Sequence, residues 1–524
     1  MSSALLALFI RALREDVRSK SMYWARGGLV GIVLLNLGTT QLTMGWAGAP
    51  GLVFFNSVVH INLFFISLAG LSYFSSAITE EKEDMTLGLL RMTNLNPLSI
   101  LLGKSASRQI GALLLLISQF PFTLLAVALG GVTLAQIIAA YSCLAAYTLF
   151  LGNLALFFSV MTRRSITAAI FTFCVLFGFL FGSWIVRYPV LGLLEFLRII
   201  PSNPPSPWLE GFLTRWQQAS PITRLGDIGI TGFSDGPLCF QVLTNVLLGG
   251  AFFLGAWAIF DVFCSEQPEA APSRGLLTRR GKRFRIFSPS RPWRGSLLWK
   301  DYFFLGGGHI GALVKLVIYS ALLALMIYLN RANSNLWEDT VLIALWVSVF
   351  VISLEVAFIA SRVFRQERVW KTWSSLAMLP MSTRRIAYQK IAGCLISVWP
   401  ALVILGSCMA FLIIKSMHDA ARSSSSASNF GSSANLMAIT GILFAVIMVL
   451  FFYHLVVALS LRLKWGALPL AFAITYVGTS MLVAVTFLMF REASFLALDL
   501  ALAIAVVVLH HNIGHRLEQL AAED

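Results

Sequence analysis

The sequence predicts an all-α polytopic membrane protein with about 12 transmembrane helices. Of its 524 residues, 58% are hydrophobic and only 12% are charged, and this balance is far from that of a soluble domain. Its apolar stretches are continuous and lack the two-residue alternation of lipid-facing β-strands. Many of them reach the roughly 20 residues that a helix needs to cross a bilayer.

The predicted spans form two groups of six on either side of a basic stretch that is rich in proline. The first group lies near 27–46, 52–77, 109–130, 133–160, 164–186 and 239–264, and the second near 308–330, 339–361, 391–415, 435–461, 465–490 and 493–511. We therefore divide the chain into a first six-span half (1–265), a basic cytoplasmic linker (266–296) and a second six-span half (297–524). An amphipathic surface helix is expected ahead of the first span in each half.

Basic residues set the predicted orientation. Most of the 39 Lys and Arg residues lie in the alternate segments that this assignment places in the cytoplasm, as the positive-inside rule requires. Both termini are therefore predicted to be cytoplasmic. The net charge of +15 then reflects orientation and contact with anionic lipids, and we expect no nucleic-acid partner. The cysteine spacing indicates neither a metal site nor a disulfide framework.

A charged segment between the second and third predicted spans recurs, without a gap, between the eighth and ninth. Glutamate, threonine and lysine recur at the same spacing, as Glu81, Thr86 and Lys104 in the first copy and as Glu367, Thr372 and Lys390 in the second. The acidic residues of the first copy, from Glu80 to Asp84, predict the start of a helix, where the helix dipole favours negative charge.

Each copy continues with a leucine-rich helix and a Pro/Ser turn, and it ends on the lysine. In this layout the segment resembles the coupling element of permeases of type-2 ATP-binding-cassette (ABC) exporters. A glycine that is common in that family just before the threonine is replaced here by Met85 and Lys371.

The resemblance implies the membrane subunit of an exporter whose two fused halves form a whole translocation pathway. Each coupling segment would dock on one of two cytoplasmic ATPase subunits, which bind ATP-Mg, while the chain itself binds no cofactor and is not an enzyme. Accessory membrane or periplasmic proteins are further partners of such an exporter. The coupling residues implied by the resemblance are Glu81, Lys82, Glu83, Thr86, Leu90, Glu367, Arg368, Thr372 and Leu376.

Two further groups of residues are candidates for function. Ionisable residues inside spans cost about 2.5–3.5 kcal/mol to insert at a helix centre, so we consider His60, Lys315, Glu355, His454 and Asp499 as polar groups of a pathway. Lys315 and Glu355 lie in neighbouring spans, which favours a structural ion pair. Aromatic residues on one helical face, Trp208, Phe212 and Trp216, predict either an interfacial anchor or an outer gate.

Two alternatives stay open at this point. A secondary transporter driven by an ion gradient would use Glu355, Asp499 or His60 as proton carriers. An integral membrane enzyme, such as a lipid-linked transferase, would need acids, bases or metal ligands clustered at one face, and the sequence shows no such grouping. The duplicated segment favours the exporter.

Overall fold

The computed structural model describes residues 10, 20–44, 50–92, 96–187, 207–264, 295–329, 337–364, 367, 372–422, 430–463, 467–490 and 494–523. Every regular element among them is a helix. The N-terminal surface helix falls almost entirely outside these residues. So does the predicted basic linker, apart from its last two positions.

Twenty α-helices follow one another along the described chain. The first eleven are α1 Lys20–Met44, α2 Pro50–Glu83, α3 Leu87–Met92, α4 Pro97–Ile117, α5 Phe120–Thr123, α6 Leu125–Ala128, α7 Leu134–Met161, α8 Ser165–Ile185, α9 Pro207–Ala219, α10 Pro221–Ile228 and α11 Phe240–Cys264. The remaining nine are α12 Ser296–Phe304, α13 Gly308–Leu329, α14 Trp337–Val363, α15 Trp373–Ala377, α16 Thr383–Leu395, α17 Trp399–Arg422, α18 Phe430–Ser460, α19 Ala467–Phe490 and α20 Ser494–Glu523.

Seven helices among the described residues are long and apolar enough to cross a bilayer. An eighth span results if α12 and the first part of α13, which are bent by 47° at their junction, count as one. This architecture is consistent with a polytopic membrane protein. A described helix overlaps each of the stretches that the sequence predicts to span, but the total of twelve spans stays a prediction.

The chain divides into two compact units. The first contains residues 1–270 and 463–485, and the second contains 271–462 and 486–524. In the first unit, α7 is the central helix and packs against α2 and α11. Its residues Tyr147 and Phe150 are fully buried, and the Tyr147 hydroxyl lies 2.7 Å from the Ser67 hydroxyl on α2. In the second unit, α18 packs against α14 and α20, and α12 packs against α16.

Two helices begin well before the spans that the sequence predicts for them. The third predicted span starts near 109, but α4 starts at Pro97, because proline suits the first helical turn and no breaker follows until Pro121. The ninth starts near 391, whereas α16 starts at Thr383, where the Ser382 hydroxyl accepts a hydrogen bond from the Arg385 amide at 3.3 Å. Lys104 and Lys390 therefore lie on the first turns of long helices.

The prediction that a new helix starts at the acidic cluster is wrong. Glu80, Glu81 and Glu83 form the last turn of α2, which begins at Pro50, and the next helix starts only at Leu87. The apolar run of α2 continues into the cluster without a break, and Arg108 and Lys104 of α4 pair with Glu80 and Glu81. These tertiary contacts outweigh the unfavourable placement of acid at the negative end of the helix dipole.

Candidate functional site

The first copy of the duplicated segment begins with a hydrogen-bonded turn at the end of α2. The Thr86 amide donates to the Glu81 carbonyl at 2.9 Å, and the Met85 amide donates to the Lys82 carbonyl at 3.4 Å. Met85 has a φ of 57°, in the left-handed region. Together these features make a Schellman motif, which stops α2 and turns the chain into α3.

The Glu81 carboxylate holds this turn in place from both sides. Its Oε2 accepts a hydrogen bond from the Thr86 hydroxyl, and its Oε1 accepts one from Lys104 Nζ at 2.5 Å. We call Glu81, Thr86 and Lys104 the first clamp. It joins the end of α2, the start of α3 and the first turns of α4. Both charged side chains are partly accessible, at 17% for Glu81 and 24% for Lys104.

The second copy forms the same arrangement with the same atoms. The Thr372 amide donates to the Glu367 carbonyl at 2.9 Å, and the Thr372 hydroxyl donates to Glu367 Oε2. Lys390 Nζ donates to Glu367 Oε1 at 2.9 Å. We call Glu367, Thr372 and Lys390 the second clamp. In both clamps the threonine lies five residues, and the lysine 23 residues, after the glutamate.

Two residues of α12 extend the second clamp. Lys390 Nζ lies 3.0 Å from a carboxylate oxygen of Asp301, and Lys300 Nζ lies 3.4 Å from Glu367 Oε1. The side chains of Lys390, Asp301 and Glu367 are 0%, 1% and 8% exposed. Burial acts to raise the pKa of Glu367, but hydrogen bonds from Thr372 and Lys390 and the charges of Lys390 and Lys300 outweigh it, so this pKa lies below its ordinary value.

Two other basic side chains hold the C-terminal end of α2, which is predicted to face the cytoplasm. Lys82 Nζ donates to the carbonyls of Val160 and of Thr162, the latter at 3.0 Å, at the end of α7, where a cation is favoured by the helix dipole. Arg108 on α4 donates to Glu80 at 2.8 Å. The acidic end of α2 is thus held by α4 and α7 together.

The remaining predicted coupling residues have varied surroundings. Glu83 is exposed and accepts a hydrogen bond from the Ser165 amide at 2.6 Å. The amides of Leu90 and Leu376 donate to the carbonyls of the clamp threonines, at 3.1 Å in both copies. Arg368 lies outside the described residues.

Apolar side chains are exposed beside both clamps. In the first copy these are Met85, Leu89 and Met92, and in the second it is Met378. We call these four residues the apolar tips. By contrast, the residue directly after each clamp threonine, Leu87 or Trp373, is buried. Each short helix therefore packs one side against its own unit and leaves apolar side chains uncovered.

The ionisable residues predicted inside spans do not form a single site. Lys315 on α13 pairs with Glu355 on α14, as the sequence favours. His454 on α18 lies 3.3 Å from His510 on α20, measured between Nε2 and Nδ1. His60 is exposed. Within the described part of the chain, its one hydrogen-bond partner is the Asn56 carbonyl on the same helix.

Asp499 on α20 is the most isolated of these groups. It is 5% exposed, and neither carboxylate oxygen has a hydrogen-bond partner within the described part of the chain. A buried carboxylate without a partner is costly to keep ionised. Such groups are therefore candidates for proton binding.

The aromatic residues proposed for an outer gate lie on α9. Trp208 and Phe212 stack with their ring centroids 6.0 Å apart, and both are exposed. Trp216 instead donates from Nε1 to the Phe179 carbonyl on α8 at 3.0 Å. Trp216 anchors α9 to the span, whereas the other two rings face outward, so the interfacial and gating interpretations both stay predictions.

Sequence reasoning missed Asp301, Lys300 and Tyr319, whose hydroxyl donates to Glu355 at 3.2 Å. A signal for the first two was available. The alignment that matches the two copies also places Arg14-Glu15 opposite Lys300-Asp301, so a base followed by an acid precedes the first span of each half. Nothing in the sequence around Tyr319 distinguishes it from other aromatic residues in spans.

The sequence matches no protein-family model, and it matches no curated protein. The assignment of function therefore depends on the clamps, the apolar tips and the resemblance of the duplicated segment.

Proposed function

We propose that this chain is the membrane subunit of an ATP-driven ABC exporter and that separate ATPase subunits act on its two clamped segments. The observation that carries this proposal is the recurrence of one arrangement, with the same donor and acceptor atoms at the same spacing, in both copies of the segment. A single surface helix needs no such duplication. Two equivalent clamped segments would provide one contact for each of two ATPase subunits.

The clamps suit the transmission of force. Glu81 belongs to α2 and bonds to Thr86, the residue before α3, and to Lys104 on α4. A displacement of the short helix α3 is therefore passed to two long apolar helices. Coupling between distant sites needs contiguous elements of this kind, which move together instead of deforming separately. In this proposal the carboxylates of Glu81 and Glu367 bind within the chain and transmit the movement, and they are not the groups that contact the ATPase.

The apolar tips are the contact that this proposal assigns to the ATPase. Exposed methionine and leucine side chains are common at protein interfaces, and methionine adapts to the shape of its partner. ATP-Mg would bind and be hydrolysed on the partner. The chain would supply the two six-span halves of the pathway in a bacterial inner membrane, with both termini cytoplasmic and with Trp208, Phe212 and Trp216 at the outer gate.

The test is purification of the tagged chain from its native membranes in mild detergent, followed by assay for a copurifying ATPase. The double variant Leu89→Glu, Met378→Glu puts charge on one apolar tip of each copy without touching a clamp. It should lose the ATPase, whereas Leu238→Glu, at an exposed leucine in the predicted outer region, should retain it. Absence of any ATPase from the wild-type preparation would contradict the proposal.

A second candidate function rests on Asp499. Its buried carboxylate without a described partner suits a carrier that binds a proton during transport. In that case Asp499→Asn would abolish transport in cells, and a protonophore would have the same effect while ATP levels are maintained. An exporter driven by ATP would keep working under the protonophore.

A further inference from the structure

A partly open cavity lies in the second unit, next to the bend between α12 and α13. Its volume is about 470 Å³, which falls within the range of pockets that hold small molecules. Apolar side chains of Leu305, Val351, Phe358 and Ile359 line part of it. The polar side chains in its wall are those of Lys315, Tyr319 and Glu355.

Glycines on one side of this cavity allow neighbouring elements to approach closely, since a Cβ atom on Gly306 would lie 2.7 Å from that of Ser397. Gly306, Gly307 and Gly311 line the cavity, and Gly307 has a φ of 82°, which other residues adopt only with strain. The chain bends by 47° at this point. The Lys315–Glu355 pair therefore lines the same pocket as the bend that Gly306 and Gly307 form between α12 and α13.

The ion pair has hydrogen-bonding capacity left for a ligand. Lys315 Nζ donates to Glu355 Oε1 and to the Ser397 carbonyl at 3.3 Å. An ammonium group has three N–H donors, so one of them has no partner within the described part of the chain. Glu355 accepts from Lys315 and from Tyr319, which leaves lone pairs on both oxygens.

We propose that this cavity binds a zwitterion in which a primary ammonium and a phosphate or carboxylate are joined by a short linker. The ammonium would donate to Glu355, and the anionic group would accept from Lys315. Because the ligand carries both charges, it adds no unpaired charge to a site that is already neutral, whereas a lone cation or anion would. The inference goes beyond the proposed function and does not depend on it.

Two sources provide this chemistry. One is the aminoethyl phosphate headgroup of a phospholipid, whose acyl chains would lie against the apolar helices that line the cavity. The other is a free zwitterion such as glycerophosphoethanolamine or an α-amino acid. The ligand groups are the same in both cases, so the experiment has to separate the sources.

The test is reconstitution of the full chain in phosphatidylcholine nanodiscs that contain a minor fraction of phosphatidylethanolamine or phosphatidylglycerol. Lipid retained after extraction is quantified by native mass spectrometry. Phosphatidylethanolamine should bind roughly tenfold more tightly than the other two, because one lacks N–H donors and the other lacks a cation, and a charge-assisted hydrogen bond is worth about that factor.

Variants test the residues. Lys315→Met and Glu355→Gln should each remove the preference for phosphatidylethanolamine, and Tyr319→Phe should reduce it. Arg384→Met is the matched control, because Arg384 belongs to an exposed ion pair with Glu518, and it should leave the preference unchanged. If a charge variant does not fold, the headgroup series on the wild-type protein still decides the question.

The second part of the test adds free glycerophosphoethanolamine or glycine to the protein in detergent without lipid. Protection of the wild-type protein against thermal unfolding by either compound, absent in Lys315→Met, supports a soluble ligand. Retention of phosphatidylethanolamine without such protection supports a lipid. Equal retention of all three lipids together with no protection by the free compounds would overturn the proposal.

Discussion

The two clamps share their hydrogen bonds but differ in their surroundings. In the first, one glutamate meets one lysine, and both keep contact with solvent. In the second, Lys390 is fully buried between Glu367 and Asp301. Among the described residues this difference arises from Asp301 and Lys300 on α12; the positions aligned with them in the first half, Arg14 and Glu15, lie outside the described residues. Within the described residues the two clamps therefore carry unequal energetic weight.

This comparison teaches that the second clamp is the more strongly fixed of the two. Removal of one partner from a buried ion pair leaves an uncompensated charge, whereas a partly exposed charge can be hydrated again by water. If the segments transmit movement, breaking the hydrogen bonds of the first clamp should therefore require less free energy than breaking those of the second. Four predictions test this difference, in order of decreasing effect.

The largest effect is expected for Lys390→Met. This change leaves two buried carboxylates, Glu367 and Asp301, without their common cation, and we expect a loss of about 3–5 kcal/mol in the free energy of unfolding. Thermal unfolding in detergent, followed by size-exclusion fluorescence, measures the change. Lys300→Met is the control, because Lys300 is half exposed and should cost less than about 1 kcal/mol. Similar losses in both variants would remove the basis of the comparison.

Lys104→Met should cost less than Lys390→Met, although it breaks the equivalent bond. Glu81 keeps its hydrogen bond from Thr86 and retains contact with solvent, so we expect a loss of about 2 kcal/mol. Both variants should be compared in one preparation and by one method. A loss for Lys104→Met equal to that for Lys390→Met would show that Asp301 adds nothing.

The sequence singled out the residues of both clamps as a recurring pattern, but it predicted neither the hydrogen bonds between them nor their energetics. Glu81 and Glu367 stand out because they recur with threonine and lysine at fixed spacing, and this pattern needs no tertiary information. The place of the acidic cluster at the end of α2 depends on Lys104 and Arg108, which come from later positions in the chain. It depends also on the contact of Lys82 with carbonyls at the end of α7. Local helix rules could not include these contacts.

The cavity was also beyond sequence reasoning. The pairing of Lys315 with Glu355 follows from their places in neighbouring spans, and the sequence indicates it. The space beside the pair depends on how α13, α14 and α16 pack around three glycines that precede a span, and glycine in such a place is equally compatible with close packing.

The third prediction concerns the threonines. Thr86→Val and Thr372→Val keep the shape of the side chain and remove one hydrogen bond to a carboxylate, so each should cost about 1–2 kcal/mol. The change at Thr372 should be the larger, because water has less access to Glu367 than to Glu81. Thermal unfolding of both variants beside Thr214→Val, at an exposed helical threonine, gives the measurement. Equal losses at the two sites would contradict the ranking.

The smallest effect is expected at Met85, whose left-handed backbone occupies the position where the resembled family commonly has glycine. A non-glycine residue in this conformation costs about 1–2 kcal/mol, and the exposed Met85 side chain buries little surface in return. Met85→Gly should therefore raise the free energy of unfolding by about 0.5–1 kcal/mol, after the greater entropy of glycine in the unfolded chain is subtracted.

Met85→Ile is the matched opposite change, because branching at Cβ makes the left-handed conformation less favourable still. It should lower the free energy of unfolding, and the first clamp should open more readily. If both variants unfold at the wild-type temperature, the turn after α2 is not under strain. If Met85→Gly also weakens ATPase retention while it stabilises the chain, Met85 acts on the partner through its side chain, since the clamp that orients α3 would then be intact.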